Sequence, residues 1–427
     1  MDPITYKENI RKRNLVFCCL LTPLILFFLY FLVFPSSIPR FNQHMILFDE
    51  GRWMLSDFFF TLRSLLDGDP YGNLEIYMPL TYLILYPFSQ ICDYGALTLE
   101  HDRVFLTECW GIPFGMVSYM FLLLMMSLLF WHSLQKLNRK HGLINWSFLL
   151  LFFSSIFIFS IERGNLIILS AACVNYFFAY YDDIDKKKVY FALFSLVIAT
   201  ILKIYPAIFG LLLLKEKRYK DILFCITIGI PLMFLPYLAF DGGFANIPIH
   251  LSNITNMQGD FSSKWDYFFG IPKISNMLYD YLIITGPTYH FLELFLGILN
   301  LVLVLLTILI VLVGKEQYWK NVMLLACALI LYPTNSGFYC GLYFFPVICI
   351  FMGNENKNSR LIYLIILLSC VIFNPFQVSV LEGYKTASIG SNLAMITIWI
   401  ILIGSSLWHI VKDFRNGLSS KSSLAVY

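Results

Sequence analysis

In a chain this apolar, the first places to look for chemistry are the charges that stand where charge is costly. Arg163 in IERGN and Lys203 in ATILKIYP sit at the ends of otherwise apolar runs. A charge at membrane depth needs a partner or a task. Two readings compete for each. One is a snorkelling side chain or a helix-end cap. The other is a phosphate site, with Arg supplying a planar fork and Lys a point charge. Gly164-Asn165 follows Arg163 directly. Gly lets the backbone approach closely, and Asn caps the helix that starts there. Asp57 is the carboxylate that stands out. Arg52 to Leu66 reads as an amphipathic helix with Asp57, Thr61 and Ser64 at i, i+4 and i+7, flanked by Ser56 and Arg63. That stripe would hold Asp57 at bilayer level, close to the head group of a lipid substrate. On spacing alone Asp49, Glu50, Asp67, Asp69, Glu75 and Asp93 compete with it. Asp67-Gly68-Asp69 has the DxD form of a metal-binding motif, but Asp-Gly and Asp-Pro are turn chemistry. No HExxH, Walker A, GxSxG or GxGxxG stands in a fitting context. No metal and no cofactor is expected.

The elements that must position these residues are membrane helices. Hydrophobic residues make up 59% of the 427, and charged ones 13%. A soluble domain carries about 25% charge, so this is an integral membrane protein of many spans. Its fold class is all-α. The net charge of +3 gives no reason to expect a nucleic-acid partner. The ten cysteines mostly lie inside apolar runs without any CxxC pair, and read as small core residues. Cys92 lies in the first outer loop and Cys109 at its edge, where a disulfide is one alternative.

About twelve spans are expected in a single domain, 1–427, with both termini cytoplasmic. Lys7, Arg11, Lys12 and Arg13 precede the first span, 15–34. A first outer loop, 35–108, follows with surface helices. Within it, Tyr77 to Gln90 is apolar but short and holds Pro79 and Pro87, so it reads as re-entrant or interfacial. Later spans are placed at 110–134, 146–161, 166–181, 189–202, 207–214 and 222–240. A long outer loop, 241–289, separates these from spans at 291–313, 322–331, 341–352, 361–373 and 393–411. With this layout most Lys and Arg fall inside. Those left outside are Arg40, Arg52, Arg63, Arg103, Arg163, Lys203, Lys264, Lys273 and Lys385. Several spans are shorter than the roughly 20 residues that cross a bilayer upright.

Four blocks carry a family resemblance. SDFFFTLRSLLDGDPYGN followed by YMPLTYLILYPF resembles the first-loop signature of glycosyltransferase family 87. IERGNLIIL and LKIYPAIFGLLLLKEKR resemble the next two blocks, and YPTNSGFYCGLYFFP is similar to a later one. Tyr77-Met78-Pro79 departs from the Tyr-Pro-Pro of many relatives. The resemblance implies a C-type glycosyltransferase fold in the plasma membrane, with an active site on the outer face. It implies a polyprenyl-phosphate sugar donor, mannose in the best-known cases, and a glycan or glycolipid acceptor. It makes Asp57 the general base. It makes Arg163, Asn165, Lys203 and Tyr205 contacts to the donor phosphate. Two alternatives remain at this point: a flippase or transporter of lipid-linked sugars, and a polysaccharide polymerase.

Overall fold

The computed structural model describes residues 55–66, 68–73, 75–91, 113–141, 154–261, 268–271, 273–274, 286–333, 336–353, 379–381 and 384–424. The expected first span, Cys92, Cys109 and the expected span at 361–373 lie outside the described residues. The described part is helical, with two short strand pairs.

Helix α1, Ser56–Ser64, is the first described helix, and α2, Pro79–Ser89, follows it. Helix α3, Pro113–Lys140, is long and apolar. It packs on α5, Ile167–Tyr180, which is reached through α4, Ser155–Arg163. Helix α5 is sandwiched between α3 and α6, Lys186–Leu202. Its Ala171 and Ala172 are fully buried, small residues of the kind that let membrane helices approach closely. A 3-10 turn at Tyr205–Phe209 leads into the short α7, Gly210–Lys215, and then α8, Tyr219–Phe234. Helix α9, Asn246–Phe261, precedes α10, Pro287–Val313, and α11, Tyr318–Leu331. A further 3-10 turn, Phe338–Tyr343, runs into α12, Phe344–Gly353, and α13, Thr386–Leu424, is the last described helix.

Among the described residues, four helical segments are long and apolar enough to cross a membrane: Phe114–Lys140, Tyr219–Ala239, Pro287–Val313 and Gly390–Asp413. The structure thus supports a helical membrane protein without establishing twelve spans. The expected span at 207–214 is broken into a 3-10 turn and a six-residue helix, and that at 341–352 begins inside a 3-10 turn, Phe338–Tyr343. Such breaks survive where protein rather than lipid surrounds the backbone, and Phe338 to Met352 is almost wholly buried. Helix α11 is also short, and every residue from Val322 to Leu331 is buried. Interhelical hydrogen bonds tie the rest, from Trp399 Nε1 to Thr307 Oγ1 at 2.8 Å and between the hydroxyls of Ser170 and Tyr343 at 2.8 Å.

Two expectations change. Of the helix read as Arg52 to Leu66, positions 52–54 lie outside the described residues; the described part is helical over Ser56–Ser64, and it is not an open surface helix. Phe58, Phe59 and Leu62 are fully buried, and so are Ser56, Thr61 and Ser64 from the polar stripe. The hydroxyls satisfy themselves locally, Thr61 Oγ1 donating to Asp57 O at 2.7 Å and Ser64 Oγ to Thr61 O at 3.0 Å. The other change is α9, which occupies the first third of the segment read as a long loop. Pro79–Ser89, by contrast, is an eleven-residue helix, too short to cross a bilayer.

The ends of the helices divide the polar chemistry into two groups. At one end lie the α4–α5 turn, the end of α6, the loop between α1 and α2, and the start of the 338–343 turn. At the other, Lys140 pairs with Asp182, Arg218 Nη1 donates to Tyr181 O at 2.7 Å, and Glu316 accepts from Lys320 at 2.7 Å. The first group holds the site.

Candidate active site

The turn Arg163-Gly164-Asn165 and the start of α1 are built into each other. Gly164 ends α4 in the left-handed conformation, φ 68°, with its N–H donating to Ile161 O at 3.0 Å. A Cβ at this position would meet Phe58 Cβ at 2.8 Å and Leu55 Cα at 3.4 Å, so only glycine admits α1 this closely. Leu55 has a left-handed backbone too, φ 59°, unusual for a leucine. Its N–H donates to Glu162 O at 2.5 Å. The strain at Leu55 starts α1 directly on the turn and puts Asp57 against it.

Asp57 is held at both oxygens. Arg163 Nη2 reaches Oδ1 at 2.5 Å, and Asn165 Nδ2 reaches Oδ2 at 2.6 Å. The ion pair is partly buried, with 12% of the aspartate side chain and 29% of the arginine side chain exposed. A carboxylate has about four lone-pair sites, so each oxygen keeps room for a further donor such as an attacking hydroxyl. Asn165 has no freedom to flip. Its Oδ1 accepts from Ile167 N–H at 2.9 Å, and a backbone N–H can only donate. Nδ2 therefore faces Asp57 and also donates to Tyr77 Oη at 3.1 Å.

Lys203 leaves the end of α6 in an extended conformation. Its Nζ stands 4.3 Å from the centroid of Tyr77 and 5.5 Å from that of Tyr339, a cation over two aromatic faces. Among the described residues it has no carboxylate within ion-pairing distance. Asp57 and Arg163 both lie within coulombic reach of it. Tyr205, two residues on, is near Cys340 and Tyr339 rather than in hydrogen-bond contact with Asp57. Tyr339 belongs to the 3-10 turn Phe338–Tyr343. The strand pair β1, Phe268–Phe269, and β2, Ser336–Gly337, fixes the segment before it, and its ring stacks on Phe159.

Glu75 lies behind this group, outside the spans, and accepts from Tyr82 Oη at 3.2 Å. Burial raises its carboxyl to about 7, above the usual carboxylate range, against the opposing hydrogen bonds from Ser64 and Tyr82. Asp69, the second acid of the DxD motif, accepts from Gly72 N–H at 2.9 Å, which is turn chemistry. Asp67 lies outside the described residues.

Of the residues singled out from sequence, Asp57, Arg163, Asn165 and Lys203 thus come together, and Tyr205 borders them. Tyr77 and Tyr339 were missed as site residues. Both lie inside quoted motif blocks, but a tyrosine at the end of an apolar run reads as an interfacial anchor. The arrangement offers a carboxylate with spare acceptor capacity, a guanidinium and an ammonium around one point. That set suits transfer from a phosphate leaving group to a hydroxyl.

A family model described as glycosyltransferase family 87 matches residues 76–333, more than half of the chain. The match takes in Tyr77, Arg163, Asn165, Lys203 and Tyr205 and begins after Asp57. None of the curated proteins and none of the solved structures compared gives a match.

Proposed function

The chain belongs to glycosyltransferase family 87, and on that premise we propose that this membrane glycosyltransferase takes a hexose from a polyprenyl-phosphate donor. The acceptor is a hydroxyl of a glycan or glycolipid at the outer face of the plasma membrane. The single observation that supports this most is the convergence of Asp57, Arg163 and Lys203 from three separate elements at one helix end. Positive charge there suits a phosphate, and the carboxylate suits a hydroxyl.

The reaction is a single displacement. The acceptor oxygen bonds to the anomeric carbon as the bond from that carbon to the phosphate oxygen breaks. Asp57 takes the acceptor's proton. The electron pair of the broken bond leaves on the polyprenyl phosphate, where Lys203 and the free edge of Arg163 stabilise the added charge. Asn165 holds Asp57 Oδ2 in place, and Tyr205 lines the donor side. A phosphate leaving group is already good, so this route places no metal.

Purified full-length protein, polyprenyl-phosphate mannose and a glycolipid acceptor test the reading by transfer of labelled sugar. Transfer without lipid-linked oligosaccharide supports it. Movement of the donor across a vesicle membrane without transfer favours a flippase, and activity only with lipid-linked oligosaccharide favours a polymerase. Labelling of Gln90→Cys by an impermeant thiol reagent in intact cells tests the outer placement. Labelling only after permeabilisation would reverse it.

A further inference from the structure

Tyr77 has no step of its own in the displacement, yet the chain fixes it from every side. Its main-chain N–H donates to Tyr82 Oη at 2.8 Å, and its carbonyl accepts from Tyr71 Oη at 3.3 Å. The preceding carbonyl, of Ile76, accepts from His250 Nε2 at 2.9 Å. Asn253 Nδ2, one turn further along α9, holds the carbonyls of Tyr71 at 2.8 Å and Glu75 at 3.1 Å. Helix α9 thus clamps the backbone at Tyr71, Glu75 and Ile76. The side chain held in this frame then touches both halves of the site. Its hydroxyl accepts one hydrogen of the Asn165 amide whose other hydrogen goes to Asp57. Its ring face carries the Lys203 ammonium at 4.3 Å.

Resting on the transferase reading above, we propose that Tyr77 is a positioning residue that sets the Asp57 carboxylate and the Lys203 ammonium relative to each other. Its hydroxyl acts on Asp57 through Asn165, and its ring acts on Lys203 directly. The two actions separate by substitution. Tyr77→Phe keeps the ring and removes the hydroxyl; Tyr77→Leu removes both.

Initial rates against polyprenyl-phosphate mannose are measured on monodisperse, full-length protein. Tyr77→Phe lowers kcat about fivefold, the effect of one neutral hydrogen bond, with donor KM within about twofold of wild type. Tyr77→Leu shows the same loss in kcat and raises donor KM roughly tenfold, through the lost cation–π contact. In an Asn165→Ala background, Tyr77→Phe lowers kcat no further, because the hydroxyl acts through that amide. A donor-independent readout is the rate of Lys203 acylation by an amine reagent, followed by mass spectrometry. Tyr77→Leu raises it and Tyr77→Phe does not. Equal constants for the two variants, a full Tyr77→Phe effect without Asn165, or equal acylation rates would each overturn the proposal. A wild type that transfers nothing from this donor, with the acylation pattern as stated, would sink the donor assignment and leave the positioning role standing.

Discussion

Gly164→Ala attacks the joint on which the site is built. At φ 68° an L-residue is strained by about 1–2 kcal/mol. The new methyl also lands 2.8 Å from Phe58 Cβ and 3.3 Å from Phe58 N. Phe58 is fully buried, with its ring edge-on to Phe59 at 5.2 Å, so it cannot swing aside. Overpacking of this kind adds about 1–3 kcal/mol. The two together give roughly 2–5 kcal/mol, relieved only by moving α1 off the turn and Asp57 away from Arg163. Gly210→Ala is the matched control. Gly210 is helical at φ −60°, and nothing lies within 4 Å of an added Cβ. Alanine there should be neutral or stabilise by up to about 1 kcal/mol. Thermal unfolding in detergent is measured for both, alongside transfer activity at a temperature where each is folded. Gly164→Ala should unfold several degrees lower and lose most activity even when folded. A Gly164→Ala protein as stable and active as Gly210→Ala would refute the close approach of α1 to the turn.

The other expectations follow the same contacts. Arg163→Ala removes a charge-assisted bond of about 1.5–3 kcal/mol and weakens donor use; Arg163→Lys also suffers, since a point charge cannot bond Asp57 and face a phosphate with one planar group. Donor KM and kcat measured together check both, and an unaffected Arg163→Ala would make the turn a mere helix connection. Glu75→Gln changes the pH dependence of stability. The folded carboxyl keeps its proton up to about 7 while the unfolded one loses it near 4.5, so its contribution is full below the lower value and fades as pH rises through the upper one. Glutamine mimics the protonated form, so its stability advantage over wild type should grow as pH rises from about 4.5 to about 7 and level off above that in thermal unfolding; a constant difference would contradict the buried, proton-holding carboxyl.

Some of this was legible in the chain. The run from Leu166 to Tyr181, bounded by ERGN and DDIDKKK, reads as one helix, and α5 occupies Ile167–Tyr180. Arg163, Asn165 and Lys203 stood out because apolar surroundings make polar side chains conspicuous. Their pairing did not. Asp57 and Arg163 lie far apart in sequence, and a one-dimensional pattern carries no sign that the left-handed Leu55 joins them. Thr61 and Ser64 misled because hydroxyls bonded back to helix carbonyls can be buried like apolar residues. Helix α9 was missed because its function in the fold is polar. IPIHLSNITNMQGD has no wide apolar stripe, and it docks through His250 and Asn253 onto backbone carbonyls.

The central claim is that Asp57 is the base of a sugar transfer, and Asp57→Asn tests it most directly. Asparagine keeps the size and a hydrogen-bonding oxygen for Arg163 but has no basic oxygen for the acceptor's proton. Donor binding and transfer are measured on the same folded preparation, with Asp69→Asn as the control in the neighbouring turn. The expected result is donor affinity close to wild type with transfer down by about 10²–10⁴, beside a working Asp69→Asn. An active Asp57→Asn, above all with an inactive Asp69→Asn, would contradict the account and move the chemistry to the turn.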